Sequence, residues 1–141
     1  MTTTTRGRIV NVTDISVRTR ERYEFVSITD EVRRAVREAG AEEGVCIISS
    51  THTTAAVTVN EDYDRDVPKD LAAACEALMG SLDVRFEHAE GNSDSHFLTS
   101  LIGQSQHLLV RGGDLDLGRW QGVFLAEFDG PRSRTVRVAV Y

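Results

Sequence analysis

The chain is poor in the residues that build stapled or membrane-spanning proteins. It has two cysteines, Cys46 and Cys75, too few for a disulfide scaffold, and both lie in apolar segments that suit buried, reduced thiols. It has two prolines, Pro68 and Pro131, and neither marks a linker. No apolar run reaches 18 residues and the first residues, Met-Thr-Thr-Thr-Thr-Arg, lack an apolar core, so neither a membrane span nor a signal peptide is expected. Those absences make cytoplasmic the default location. An excess of basic residues is also missing: the formal charge is −6, which argues against a general nucleic-acid binder. No glycine-rich phosphate loop of P-loop or dinucleotide type is present, and no organic cofactor is expected.

What remains is an ordinary globular composition, 40% hydrophobic and 27% charged over 141 residues, enough for one domain with a real core. Residues 7–17 and 23–28 are rich in β-branched and aromatic side chains and read as a two-stranded hairpin. Thr29 or Asp30 can cap a helix carrying Val32, Ala35, Val36 and Ala39, stopped by Gly40. Residues 45–50 and 55–59 read as strands, the first apolar on both faces and therefore central. A helix over 67–79, which Asp66 can cap, should bury Leu71, Cys75 and Leu78. A short helix through Phe97, Leu98, Leu101 and Ile102 ends at Gly103, and strands over 106–111, 122–128 and 134–141 complete the chain. In the last, Val136, Val138 and Val140 share one face. The order ββαββααβββ indicates a single α+β domain with largely antiparallel sheets.

Histidines are few, and their placement is informative. His88 and His96 stand in the polar stretch Glu87-His-Ala-Glu-Gly-Asn-Ser-Asp-Ser-His96, which has almost nothing apolar to bury. His52 follows an apolar strand, at a position where a rigid scaffold presents side chains. Three imidazoles can hold a metal with an open position or act as acid–base groups; singly, each reads better as a satisfied polar residue at an element end, and it is the three together that make a site an equal reading. The acidic run from Glu61 to Asp66 offers oxygen ligands for Mg²⁺ at Glu61 and Asp64, although Asp66 and Asp70 are better explained as helix-terminus charges. The C-terminal third carries Arg111, Arg119, Arg132, Arg134 and Arg137, with Asp129-Gly130-Pro131 marking a turn between arginines. Arginine there suits bidentate phosphate or carboxylate recognition, or simply a solvated hairpin. Trp120 reads as core rather than as a stacking platform.

The ordered set His52-Thr53, Val59-Asn60-Glu61, Asp64, Asp70, His88…Glu90-Gly91-Asn92…His96, Leu117-Gly118-Arg119-Trp120-Gln121 and Glu127…Asp129-Gly130-Pro131-Arg132 resembles the YjbQ family, also described as secondary thiamine-phosphate synthase. Two positions depart from the family pattern: Ala89 where asparagine is common, and Ala55 where glycine or serine is common. The resemblance implies a compact α+β fold, a homotrimer, and a histidine-lined pocket for a metal (Zn²⁺ or Mg²⁺) or an anion. It also implies a weak activity joining a pyrimidine pyrophosphate to a thiazole phosphate with release of pyrophosphate. On that basis His52, His88, His96 and Glu61 are candidate catalytic residues, with the three histidines as a zinc site or Glu61 and Asp64 as a magnesium site. Asn92, Gln121, Arg132 and Arg134 are candidates for the substrate's anion, and the partner is a small phosphorylated metabolite. The alternative is a metal- or ligand-binding protein without catalysis.

Overall fold

The computed structural model describes residues 11–141. Eight strands and three helices follow in the order β1 (Asn11–Arg18), β2 (Glu24–Ser27), α1 (Thr29–Ala39), β3 (Glu43–Ser50), β4 (Ala55–Glu61), α2 (Asp66–Ser81), α3 (Ser93–Ile102), β5 (Ser105–Arg111), β6 (Asp114–Leu115), β7 (Gln121–Glu127) and β8 (Ser133–Val140). They form a five-stranded sheet, β1-β8-β3-β5-β6, and a three-stranded sheet, β2-β7-β4, antiparallel throughout. The α+β class with largely antiparallel sheets is what the element order indicates.

The expected hairpin over the first two strands does not form. β1 pairs with β8 and β2 with β7, in different sheets, and the part of the hairpin before residue 11 lies outside the described residues. The reason is that the two strands bury different cores. Ile15 and Val17 join the cluster between the sheets and α1, which also holds Val32, Val36, Ile48, Val57, Leu125, Val136 and Val138. Phe25 instead joins Phe124, Phe128 and Leu98 on the outer face of the smaller sheet, beneath α2 and α3. The strand buried on both faces is accordingly β7. β3 is central in its sheet but leaves Val45 36% exposed.

The helices also differ from expectation in detail. Neither Thr29 nor Asp30 caps α1, whose N-cap is Ile28; Thr29 Oγ1 donates to Asp62 Oδ2 and accepts from the Val123 amide instead. In α2 the side chains facing the smaller sheet are Leu71, Ala72, Cys75 and Met79, at i, i+1, i+4 and i+8. Leu78 falls off that stripe and is 44% exposed, and no residue of α2 is fully buried. Asp66 is the first residue of α2 rather than its cap, and its amide donates to Asp64 Oδ1. Cys46 is buried and Cys75 half-buried, both as free thiols; burial pushes the Cys46 thiol up to about 11. Trp120 is not core: it is half-exposed, edge-on to Tyr63 and under the Arg119 guanidinium. Among the described residues no helix is long and apolar enough to cross a membrane.

Candidate functional site

The chain passes between the two sheets at neighbouring points, from β3 to β4 through residues 51–54 and from β7 to β8 through residues 128–132. A buried ion pair ties the crossings together. Arg134 donates through Nε to Glu127 Oε1 at 2.8 Å and through Nη2 to Glu127 Oε2, while the same Nη2 reaches Thr54 Oγ1 at 2.8 Å. The two side chains are 3% and 0% exposed. Thr19 Oγ1 and the amides of Phe128 and Asp129 complete the Glu127 carboxylate. Burial alone would push this carboxyl up, but the Arg134 and Thr19 hydrogen bonds outweigh it and hold Glu127 below the ordinary carboxylate range.

Above this pair lies a cavity of about 490 Å³. His52, Thr54, Arg132 and Arg134 form its floor and one side, and the loop and first turn leading into α3 supply His88, Glu90, Asn92 and His96. Gly91, at φ +71°, lets that loop turn back through the Gly91 amide to His88 carbonyl bond, in a conformation side chains seldom adopt. The rings of His88 and His96 stand edge to face with centroids 5.5 Å apart. Arg132 donates through Nε and Nη2 to the Asp129 carbonyl and carboxylate, leaving Nη1 uncommitted by these bonds. Asn92 is buried: its Nδ2 donates to Asp129 Oδ2 at 2.8 Å, and its Oδ1 has no hydrogen-bond partner. The polar loop therefore does contribute to the interior, through Asn92 and Ser95.

His52 is held by the neighbouring strand. The amide of Thr135, the third residue of β8, donates to His52 Nε2 at 2.9 Å. A nitrogen that accepts a hydrogen bond carries no proton, so the neutral ring must be protonated at Nδ1. Desolvation, then the Arg134 charge, hold His52 below its ordinary value of 6.5. The unfolded chain therefore takes up this proton more readily than the folded one, so the contribution of His52 to stability is full above about pH 6.5 and is lost on acidification below it. We expect proton-coupled nitrogen spectra at pH 7.5 to show His52 as the Nδ1–H tautomer, and the thermal midpoint to fall below pH 6.5 with a slope that His52→Gln reduces. An Nε2–H tautomer would contradict the geometry.

The structure thus brings together His52, His88, His96, Asn92, Arg132 and Arg134. Three expected site residues lie elsewhere. Glu61 and Asp64 line a separate cleft with Tyr63, Arg65 and Trp120, because β4 carries them away from its His52 end. Gln121 Oε1 accepts the Gly118 amide at 2.8 Å, closing its own turn rather than facing an anion. Arg119 and Arg137 are also remote, Arg137 being paired with Asp14. Arg134 does line the cavity, but as Glu127's partner. The residues do not fit a three-histidine metal centre: His52 Nε2 is occupied by a backbone amide, and a proton stays on Nδ1. Among the described residues no group of three or more His, Cys, Asp or Glu side chains is arranged to hold an ion. The sequence does not single out as site residues the wall residues Thr54, Glu90 and Asp129, nor Glu127 buried beneath them. The close spacing of Glu127 and Asp129 before Gly130-Pro131 was the available signal.

Fold and pocket together define a small α+β protein with two antiparallel sheets and a histidine–arginine cavity where the chain passes between them. The family model described as UPF0047 protein YjbQ-like matches residues 13–141. The chain belongs to the YjbQ/UPF0047 family. It is 40% identical over 121 residues to the UPF0047 protein YugU of Bacillus subtilis, covering 86% of this chain and 92% of that one. A UPF0047 protein of Methanothermobacter thermautotrophicus is 36% identical over 129 residues, 90% of this chain and 89% of the relative. Among solved structures, a YjbQ/UPF0047-family protein of Clostridium acetobutylicum superposes with a TM-score of 0.87 at 38% identity, covering 92% of this chain and 99% of its own. A hypothetical protein of Aeropyrum pernix gives 0.86 at 30% identity, covering 93% and 98%.

Proposed function

We propose that the cavity binds the phosphate of a small phosphorylated metabolite and supports chemistry in which a phosphate or pyrophosphate oxygen carries the developing charge. The observation that carries this reading is the Thr135 amide on His52 Nε2, which leaves His52 as an Nδ1–H donor beside the cation of Arg132. Donors fixed before the ligand arrives stabilise an oxyanion without reorganising. His88 and His96, in edge-to-face contact on the α3 side of the cavity, can pass a proton to and from the leaving oxygen. Asn92 Oδ1, buried and without a partner, is an acceptor for a ligand hydroxyl or amine proton. Thiamine phosphate formation from the pyrimidine pyrophosphate and thiazole phosphate is the first reaction to assay, on the strength of the family resemblance. The resemblance also implies a homotrimer, and the exposed apolar Leu78, Val84 and Phe86 are the kind of surface that assembly covers.

Calorimetric titration with inorganic phosphate is the direct test. Saturable binding of one phosphate per chain is expected, unchanged after dialysis against a chelator. Binding that disappears with the chelator and returns with zinc would refute a donor site built from His52 and Arg132. Phosphate binding with no turnover on any phosphorylated precursor would select a binding protein over an enzyme.

A further inference from the structure

We infer that the ligand's phosphate is attached to a hydroxylated body, a sugar or polyol phosphate, which lies in a second cavity beyond His96. This rests on the phosphate reading above for the anion and adds what the anion is joined to. The second cavity, about 410 Å³, is lined by Thr53, His96, Thr99, Ser100, Gly103 and Gln104. Thr53 and His96 line the first cavity as well, so the two spaces share a wall. Its lining holds hydroxyls, an amide, an imidazole and a glycine, with no carboxylate, no cation and no large apolar side chain. Such a lining gives an alkyl chain little to pack on, whereas alternating donors and acceptors match hydroxyls.

Among the described residues two buried side-chain polar atoms lack a hydrogen-bond partner, Asn92 Oδ1 and Thr99 Oγ1, and the first residue lines one cavity and the second the other. Buried polar groups are nearly always paired, so an unpaired one in a cavity wall marks a place for a missing partner. Thr99 is 2% exposed and sits inside α3, where a threonine commonly returns its hydroxyl to the carbonyl four residues back; this one does not. A helical threonine has two side-chain rotamers open to it, so its hydroxyl can turn to a ligand without distorting the helix. Asn92, His96 and Thr99 fall at i, i+4 and i+7, on one face of α3 and its cap. At 1.5 Å per residue that face spans roughly 10 Å. A phosphorylated tetrose or pentose, or the matching polyol, is of that length. Its phosphate would lie with His52 and Arg132, and its hydroxyls would run past His96 to Thr99.

The test compares methyl phosphate, phenyl phosphate and ribose 5-phosphate by calorimetry on the intact protein and on Thr99→Val and Gln104→Leu. Ribose 5-phosphate should bind at least about tenfold more tightly than either simple ester, as two or more added hydrogen bonds would give. Thr99→Val, nearly isosteric, should reduce that preference roughly five- to tenfold. It should leave methyl phosphate affinity unchanged and the thermal midpoint no lower than in the parent. Gln104→Leu, at an exposed position, should weaken ribose 5-phosphate alone. Equal affinity for the three esters, or a preference that both variants leave intact, would overturn the second cavity while leaving the phosphate site standing. Failure of all three esters and of inorganic phosphate to bind would overturn the phosphate reading itself, and this inference with it.

Discussion

Arg134→Met is expected to cost about 3–5 kcal/mol of folding stability, the usual price of leaving one member of a buried ion pair alone. Glu127 is wholly buried and would keep its carboxylate with Thr19 and two amides but no cation. Thr54 Oγ1 would also lose its donor. The loss should be much smaller in the Arg134→Met, Glu127→Leu double variant, because no unpaired charge then remains inside. Urea denaturation followed by fluorescence would measure all three proteins. A single variant within about 1 kcal/mol of the parent, the range of an exposed ion pair, would show that the pair does not hold the crossings together.

The second large effect concerns ligand rather than fold. The double variant His88→Ala, His96→Ala should bind inorganic phosphate about ten- to a hundredfold more weakly, since each imidazole removes a hydrogen bond to a charged ligand. Any turnover on a phosphorylated substrate should fall by roughly 10²–10⁴-fold through loss of proton transfer. Stability should barely change. His88 is 44% exposed in its side chain, and neither ring is part of either hydrophobic cluster. Phosphate affinity equal to the parent's would remove both histidines from the site. A loss of affinity accompanied by unfolding would show instead that they hold the loop before α3.

The fold class was readable because its signals are local. Alternation in β8, the apolar run in β3 and the glycine stops after α1 and α3 each depend on neighbours in the chain. Pairing was not readable in the same way. Residues 11–18 and 24–27 look like a hairpin because five residues separate them, yet Phe25 and Ile15 belong to different cores. Only three-dimensional packing decides between them. The site divides similarly. Histidines in a polar loop advertise chemistry, and family resemblance orders them, so His52, His88, His96, Asn92 and Arg132 could be named. Glu61 and Gln121 share the same motifs and yet lie elsewhere, because a motif records order along the chain and not direction of projection. Arg134 was expected to meet an anion and does, but the anion is Glu127. The His52 tautomer was invisible in sequence, since it is set by the amide of a residue 83 positions away.

Gly130 is where the crossing from β7 to β8 comes closest to the rest of the chain. A Cβ there would stand 2.1 Å from the Glu21 carbonyl oxygen and 2.9 Å from Thr19 Oγ1. Thr19 Oγ1 also accepts the Arg132 amide, and the Thr19 amide donates to the Arg132 carbonyl. The backbone on this side of the cavity has little slack, so its conformational entropy is surrendered during folding rather than on ligand binding. The opposite side, carrying His88 and Glu90, is solvent-exposed, and any ordering demanded by an arriving molecule falls there. The cavity consequently has one wall that measures a ligand and another that can accommodate it. Differences in affinity among related ligands should register as enthalpy at the first wall and as entropy at the second.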